Sequence, residues 1–359
     1  MSDGLDDVVA AETVLSDVDG AAGRLIIRGH LLDDLAGRTS FAEAAELLLD
    51  GFFEDLPRGA AFAAALGQSR LDVFREVAGL DAELVRRTPI EAMRALTARL
   101  ADGDDVATAL RLMAAPAVFT PAVIRMQRHQ APVAPDPALP HAADILRMMR
   151  GEAVDPAQAA ALDTYLVTVC DHGLNASTFA ARVVASTRAG LTSAVLAGVS
   201  ALKGPLHGGA PGPVIEMLDE IGEASNARAW LEAALQRGDR LMGFGHRIYR
   251  VRDPRADALK RAIRRLDPNS GRLAYAEAVE AAALAILRER KPARSLQTNV
   301  EFYTALLLEA LAFPPESFTC VFAMGRVIGW IAHAQEQLAG GRLIRPKSTY
   351  IGPEPRQAA

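Results

Sequence analysis

Leu202-Lys203-Gly204-Pro205-Leu206-His207-Gly208-Gly209-Ala210-Pro211-Gly212-Pro213 is the stretch from which the rest of the chain is read. An apolar run over 191–202 precedes it and a further helical pattern starts at Val214, so the segment reads as an elbow between two helices. Gly204 suits the position just past a helix end, and Pro213 suits the first turn of the next helix. Small residues around His207 leave its ring uncovered by neighbouring side chains and let a ligand or another backbone approach. The elbow is either an ordinary turn with an incidental histidine or a site built on one.

Outward from the elbow, the chain is helical in composition. Half of its 359 residues are apolar but only 5% are aromatic, and Ala, Leu and Val outweigh the β-favouring Ile, Thr and Tyr. The expected class is all-α. The length exceeds the roughly 250 to 300 residues at which a single core stops growing, so two lobes are expected. A net charge of -5 with both signs interspersed offers no basic face for a nucleic-acid backbone. Cys170 and Cys320 show neither CxxC spacing nor a disulfide framework, which fits a reducing cytoplasm. The acidic start and the lack of an uninterrupted apolar stretch of ~18 residues argue against export and against a membrane span.

Along the chain, residues 14–20 and 23–28 read as two short extended runs joined by a Gly-containing turn. Ser40 and Glu43 have capping-box spacing, and helical patterns follow over 60–66, 70–78 and 90–100. Residues 131–140, rich in proline, read as a surface connection between helices. Asp155-Pro156 opens a helix that runs to Val169 and empties into Cys170-Asp171-His172-Gly173-Leu174-Asn175-Ala176-Ser177-Thr178. That cluster sets several hydrogen-bonding groups between apolar runs, where they satisfy one another or hold a ligand.

Beyond the elbow, Gly243-Phe244-Gly245-His246-Arg247 lacks the preceding strand and third glycine of a nucleotide-binding loop. Four arginines and a histidine within ten residues, from His246 to Arg255, are either a solvated face or a grip for an anion. Glu301 stands at the start of an apolar helix, where the dipole favours its charge. Arg326, between Gly325 and Gly329, lies in the almost wholly apolar segment 318–338. A guanidinium there must be paired with a carboxylate or a ligand. Arg345-Pro346-Lys347-Ser348 closes the chain as a basic, Pro-stiffened tail. Together these residues suit a small polyanion, with histidines donating to a carbonyl or enolate oxygen, a carboxylate removing a proton and arginines gripping carboxylates. No metal is expected, because His172, His207 and His246 lack helical zinc spacing. Cys170 reads as inert packing rather than as a nucleophile.

The sequence resembles the citrate synthase family nearly end to end, from Gly4 to Gly352. The resemblance rests on Asp17 to Gly20, Arg24 to Gly29, Asp171 to Thr178, Lys203 to Gly209, Gly243 to Arg255, Asn299 to Tyr303, the Arg326 helix and Arg345 to Ser348. It implies a nearly all-helical homodimer of the shorter type. A large domain (1–208 and 314–359) and a smaller mobile one (209–313) would enclose the active site. The implied reaction joins acetyl-CoA, a substrate rather than a cofactor, to oxaloacetate, giving citrate and free CoA through an enol and a citryl thioester. By resemblance His207 stabilises the enol, His246 polarises the ketone and Glu301 takes the proton. His172, Arg255 and Arg326 hold the oxaloacetate carboxylates, with Arg345 reaching in from the other subunit. Arg250 and the backbone of Leu241, Met242, Gly243 and Gly245 would contact CoA.

The sequence departs from the family pattern at the base, where the usual Pro-Asn-Val-Asp reads Thr298-Asn299-Val300-Glu301. One extra methylene shifts a carboxylate by up to ~1.5 Å, and a misplacement of about 1 Å costs on the order of 10²-fold in rate. Either the backbone retreats or turnover is slow. Gly173 replaces the common Glu after His172, and Val169 stands where many members have His. The competing readings are a 2-methylcitrate synthase using propionyl-CoA, a citryl thioester lyase, and a low-activity or regulatory paralogue that binds oxaloacetate without turnover.

Overall fold

The computed structural model describes residues 3–5, 8–208, 212–246, 248–249, 251–292 and 294–353. Strands β1 (Ser16–Asp19) and β2 (Arg24–Ile27) form the expected antiparallel hairpin, with Ser16 opposite Ile27 and Asp19 opposite Arg24. Alternation in β2 buries Leu25 and Ile27 and turns their neighbours outward. A two-residue strand, β3 (His30–Leu31), extends the sheet and has no counterpart in the sequence reading.

The rest is helical. The first half of the chain forms α1 (Leu32–Leu35), α2 (Phe41–Leu49), α3 (Ala60–Phe74), α4 (Ala82–Val85), α5 (Pro89–Thr97), α6 (Val106–Gln127), α7 (His141–Arg150) and α8 (Pro156–Thr168). The second half forms α9 (Ala176–Ala185), α10 (Leu191–Leu202), α11 (Gly212–Ile221), α12 (Ala227–Arg237), α13 (Pro254–Leu266), α14 (Gly271–Arg290), α15 (Val300–Ala310) and α16 (Phe318–Gly340). Starts are written in the sequence. Ser40 and Glu43 close a capping box on α2, and Asp155 accepts from the Ala157 N–H at 2.8 Å ahead of Pro156 in α8.

Two sequence expectations are corrected. The patterns over 60–66 and 70–78 are one helix followed by a 3-10 turn (Arg75–Gly79), and Gly67 lies inside it. A Cβ on Gly67 would stand 2.3 Å from the Pro137 carbonyl, so that glycine serves a tertiary contact and does not end the helix. The reading also held no helix where α6 runs for 22 residues through Pro116 and Pro121. Proline in a helix interior forfeits a backbone hydrogen bond and ordinarily costs about 3 kcal/mol, and burial of most α6 side chains, both prolines included, offsets it.

Helix α6 is wedged among α3, α5, α7 and α16, and α16 packs in turn on α2, α8, α9 and α10. Both long helices meet the length and hydropathy of a membrane span, but 89% and 94% of those windows are buried inside the fold, as in core helices. Glycines bring α16 onto the end of α8. A Cβ at Gly329 would lie 2.4 Å from the Cys170 carbonyl, and one at Gly325 would lie 2.6 Å from the Val169 side chain. In the later part of the chain α13 packs on α15 and α8, α12 on α14, and α11 on α15.

Candidate active site

The C-terminal ends of α8 and α10, the interior of α16, the first turns of α13 and α15 and the segment before α13 deliver the predicted residues. Where α8 stops, Asp171 accepts from the Ser16 hydroxyl and lies 3.2 Å from His333 Nε2. Ser16 Oγ in turn accepts from Gly173 N–H at 2.9 Å. His333 Nδ1 lies 2.9 Å from Arg182 Nη1, and a guanidinium only donates, so the His333 proton is on Nε2 and points at Asp171. This buried chain fixes the loop carrying His172. Asp171 is held below the usual carboxylate range, because His333, Ser16 and Arg326 together outweigh its burial.

His172 is buried, with Nε2 3.1 Å from the Tyr249 hydroxyl. Its ring centroid is 5.6 Å from that of His246, edge to face. Burial pushes its pKa well down, and Arg255, Arg326, His246 and His207 each push in the same direction. One imidazole therefore lies within electrostatic reach of four other predicted site residues.

Two backbone N–H groups fix the tautomer of His246. Its Nδ1 accepts from the N–H groups of Ile248 at 3.0 Å and Tyr249 at 3.1 Å, so a neutral ring carries its proton on Nε2. Burial, then Arg255, holds its pKa down at about 4. Nε2 lies 3.2 Å from Arg255 Nη2, and two donors this close call for an acceptor to one side that both can reach. Arg255 is buried and doubly bonded to Asp253, Nε to Oδ1 at 3.0 Å and Nη2 to Oδ2 at 2.7 Å. The sequence reading gave it to a substrate carboxylate. Half of its fork is already committed to Asp253, and the part facing His246 remains.

Arg326 behaves differently. It is 1% exposed, its Nε donates to the Val169 carbonyl at 2.6 Å, and its guanidinium stacks 4.9 Å from the Phe322 ring centroid. Among the described residues no carboxylate lies within ion-pair distance. Burial lowers its pKa to about 10, opposed by Asp171 and reinforced by Arg255, so it stays charged at neutral pH. A buried, unpaired guanidinium beside a second one is a site for an anion.

His207 hangs from the end of α10, where the Gly208 N–H closes back onto the Leu202 carbonyl at 2.9 Å. Its Nε2 is 2.9 Å from Ser177 Oγ, which accepts from Trp330 Nε1 at 3.1 Å and donates its proton to Asn175 Oδ1 at 2.7 Å. Burial, then Arg326 and Arg255, holds the imidazole down at about 4. All three histidines are therefore neutral at pH 7 and act as hydrogen-bond groups without charge.

Residues 243–245 run antiparallel to 297–299. Gly245 N–H donates to the Gln297 carbonyl at 2.7 Å, and Asn299 N–H to the Gly243 carbonyl at 3.0 Å. Gly243 and Gly245 have φ of +83° and +84°, values that L side chains rarely adopt. This pairing ties His246 to Glu301, two residues beyond Asn299. The Glu301 Oε2 atom is buried without a hydrogen-bond partner among the described residues. Burial raises its pKa, while Arg255 pulls it down. A carboxylate so raised is a better base than a solvated one.

Arg345 is exposed in the tail and is not brought to these groups within one chain. The peptide groups of Gly243 and Gly245 are engaged by 297–299, Leu241 is buried and Met242 is half-buried. Arg250 lies outside the described residues. Sequence reading missed Tyr249, Asp253, His333 and the support given to His207 by Ser177 and Trp330. Nothing in their spacing announced them, because each acts through a contact between distant segments.

A family model described as citrate synthase, C-terminal domain, matches residues 4–347. The chain belongs to the citrate synthase family. Citrate synthase of Haloferax volcanii is 38% identical, covering 97% of this chain and 95% of its own length. The 2-methylcitrate synthase of Mycobacterium tuberculosis is 37% identical, covering 98% and 91%. Among solved structures, the ternary complex of Thermoplasma acidophilum citrate synthase with carboxymethyl coenzyme A and oxaloacetate superposes with a TM-score of 0.86. It is 27% identical and covers 99% of this chain and 97% of its own. The protein is thus a citrate synthase-type acyltransferase with the helical fold of that family.

Proposed function

We propose that this citrate synthase family member condenses acetyl-CoA with oxaloacetate around His172, and that the residues brought together there divide the work as follows. Arg326 and the free side of Arg255 take the oxaloacetate carboxylates, with His172 between them. His246, a neutral Nε2–H donor, polarises the ketone. Glu301 removes a methyl proton from the thioester. His207 meets the developing enolate oxygen, which a preset donor stabilises better than mobile water does. For His207 to donate through Nδ1, the Ser177 hydroxyl must point at its Nε2. In the structure that hydroxyl donates to Asn175 Oδ1 at 2.7 Å while its oxygen accepts from Trp330, so it must turn from Asn175 to His207 for this role.

The enolate carbon then attacks the polarised ketone carbon, and the new alkoxide takes its proton from His246, which regains one from the Glu301 carboxylic acid so that both return to their starting states. Water cleaves the citryl thioester to citrate and free CoA thiol. The observation that carries this reading is Arg326, a charge in the core with no acidic mate among the described residues. The implied smaller lobe, 209–313, carries His246 and Glu301 and would close on the rest to exclude water. Exposed Arg345 suits a homodimer in which it completes the neighbouring site. Arg250 and Met242 are the proposed CoA contacts.

Propionyl-CoA is the second reading, because the 2-methylcitrate synthase relative is as similar as the citrate synthase. One added methylene in a pocket discriminates by only 10- to 200-fold or so. A thiol-release assay with oxaloacetate and acetyl-, propionyl- and butyryl-CoA, with products weighed by mass spectrometry, decides between them. Acetyl-CoA is expected to give the highest kcat/KM and citrate as product. Preference for propionyl-CoA assigns 2-methylcitrate, and no thiol from any of them defeats the reading.

A further inference from the structure

Glu280 lies on α14, outside the set of groups that meet the substrates in this reading, yet it is 5% exposed and surrounded by donors. Its Oε1 accepts from Thr298 Oγ1 at 2.6 Å and from Arg252 Nη1 at 2.7 Å. Its Oε2 accepts from the Tyr303 hydroxyl at 2.5 Å and lies 3.5 Å from Lys260 Nζ. Arg252 follows His246 by six residues, and Thr298 and Tyr303 bracket Glu301. Lys260 and Arg252 also lie 5.4 and 5.8 Å from the Tyr303 ring centroid. A buried carboxylate is costly unless its oxygens are satisfied, so these donors hold it in one place and it holds them. Burial works against its charge, and the bonds from Thr298, Tyr303 and Arg252 overcome it, leaving the carboxyl below its ordinary range.

We propose that Glu280 is the positioning residue that sets the separation of His246 from Glu301, gripping the His246 turn through Arg252 and the Glu301 helix start through Thr298 and Tyr303. This rests on the catalytic roles given above to His246 and Glu301. Thr298 contributes a hydroxyl that the proline of the Pro-Asn-Val-Asp pattern lacks, so the lengthened base comes with an added anchor beside it. Glu301 has no hydrogen bond of its own on Oε2 among the described residues, and its direction depends on the backbone that Glu280 holds. A shift of about 1 Å in such a group costs on the order of 10²-fold in rate.

The test compares Thr298→Val, Thr298→Ser and Glu280→Gln with the parent. Thr298→Val keeps the shape and leaves Glu280 three donors, so it serves even where Glu280→Gln does not fold. In Thr298→Val kcat is expected to fall about tenfold with both KM values within about threefold, and Thr298→Ser is expected to restore it. In a Glu301→Gln background the same change should cost nothing further, as for two groups acting as one unit. An unchanged kcat, or equal losses in both backgrounds, overturns the proposal. A parent that releases no thiol refutes the proposed function instead. The positioning claim is then read from the Glu301 carboxyl resonance in protein carrying carbon-13 glutamate, with Glu301→Gln as the blank. Its titration midpoint must move in Thr298→Val, and an unmoved midpoint refutes positioning.

Discussion

Glu301 is one methylene longer than the aspartate expected at its position, and the pairing of 243–245 with 297–299 anchors the backbone that presents it. If that backbone is set for the longer side chain, Glu301→Asp withdraws the carboxylate by up to ~1.5 Å. The expected result is a kcat lower by on the order of 10²-fold with oxaloacetate KM unchanged, read from steady-state thiol release. The residues legible from sequence were those that are chemically out of place. Arg326 could be singled out because a guanidinium in an apolar helix demands a partner, and His207 because its neighbours are too small to hide it. Tyr249 and Asp253 lay in plain view of the same basic turn, but their roles depend on where His172 and Arg255 arrive in space. No spacing rule encodes that.

At the scale of elements, the close crossing of α16 over the end of α8 delivers Arg326 to the Val169 carbonyl. Gly329→Ala would drive a methyl group into the Cys170 carbonyl and the Asp171 side chain. Overpacking of this kind costs about 1–3 kcal/mol. A lower thermal midpoint is expected together with weaker oxaloacetate binding, because Asp171 and Arg326 both move; calorimetry reads both. Helix starts were legible through their caps, as at Ser40 and Asp155. Helix α6 was not, since Pro116 and Pro121 are breakers by every local rule and only burial on all sides overrides them. Gly67 misled for the same reason, being required by Pro137 on another segment.

At the scale of the whole molecule, acid should undo the site and the fold together. His207 and His246 titrate near 4 when folded, and His172 and His141 are also pushed well below their usual 6.5 by burial. The unfolded chain binds more protons between pH ~6.5 and ~4, so stability is full above that window and falls as pH drops through it. Asp163, raised to about 6 by burial, and Glu301 act in the opposite sense and are outnumbered. Thermal midpoints measured from pH 8 to 4 should fall below pH ~6.5; a flat profile would contradict neutral buried imidazoles. Composition made the helical class legible, but no single chain shows what its exposed tail meets. If Arg345 completes the neighbouring site, mixing Glu301→Gln with Arg345→Ala protein should regenerate roughly a quarter of parental activity through hybrid dimers with one intact site. Persistence of two inactive pools would place Arg345 elsewhere.

The most direct measurement sets chemistry against binding in one variant. Glu301→Gln should release CoA thiol at least about 10²-fold more slowly than the parent while a calorimetric titration returns the parental affinity for oxaloacetate, since Arg326, Arg255 and the histidines are untouched. Thiol release at the parental rate, or oxaloacetate affinity lost along with it, would contradict a dianionic ketone clamped by guanidinium groups beside a separate carboxylate base.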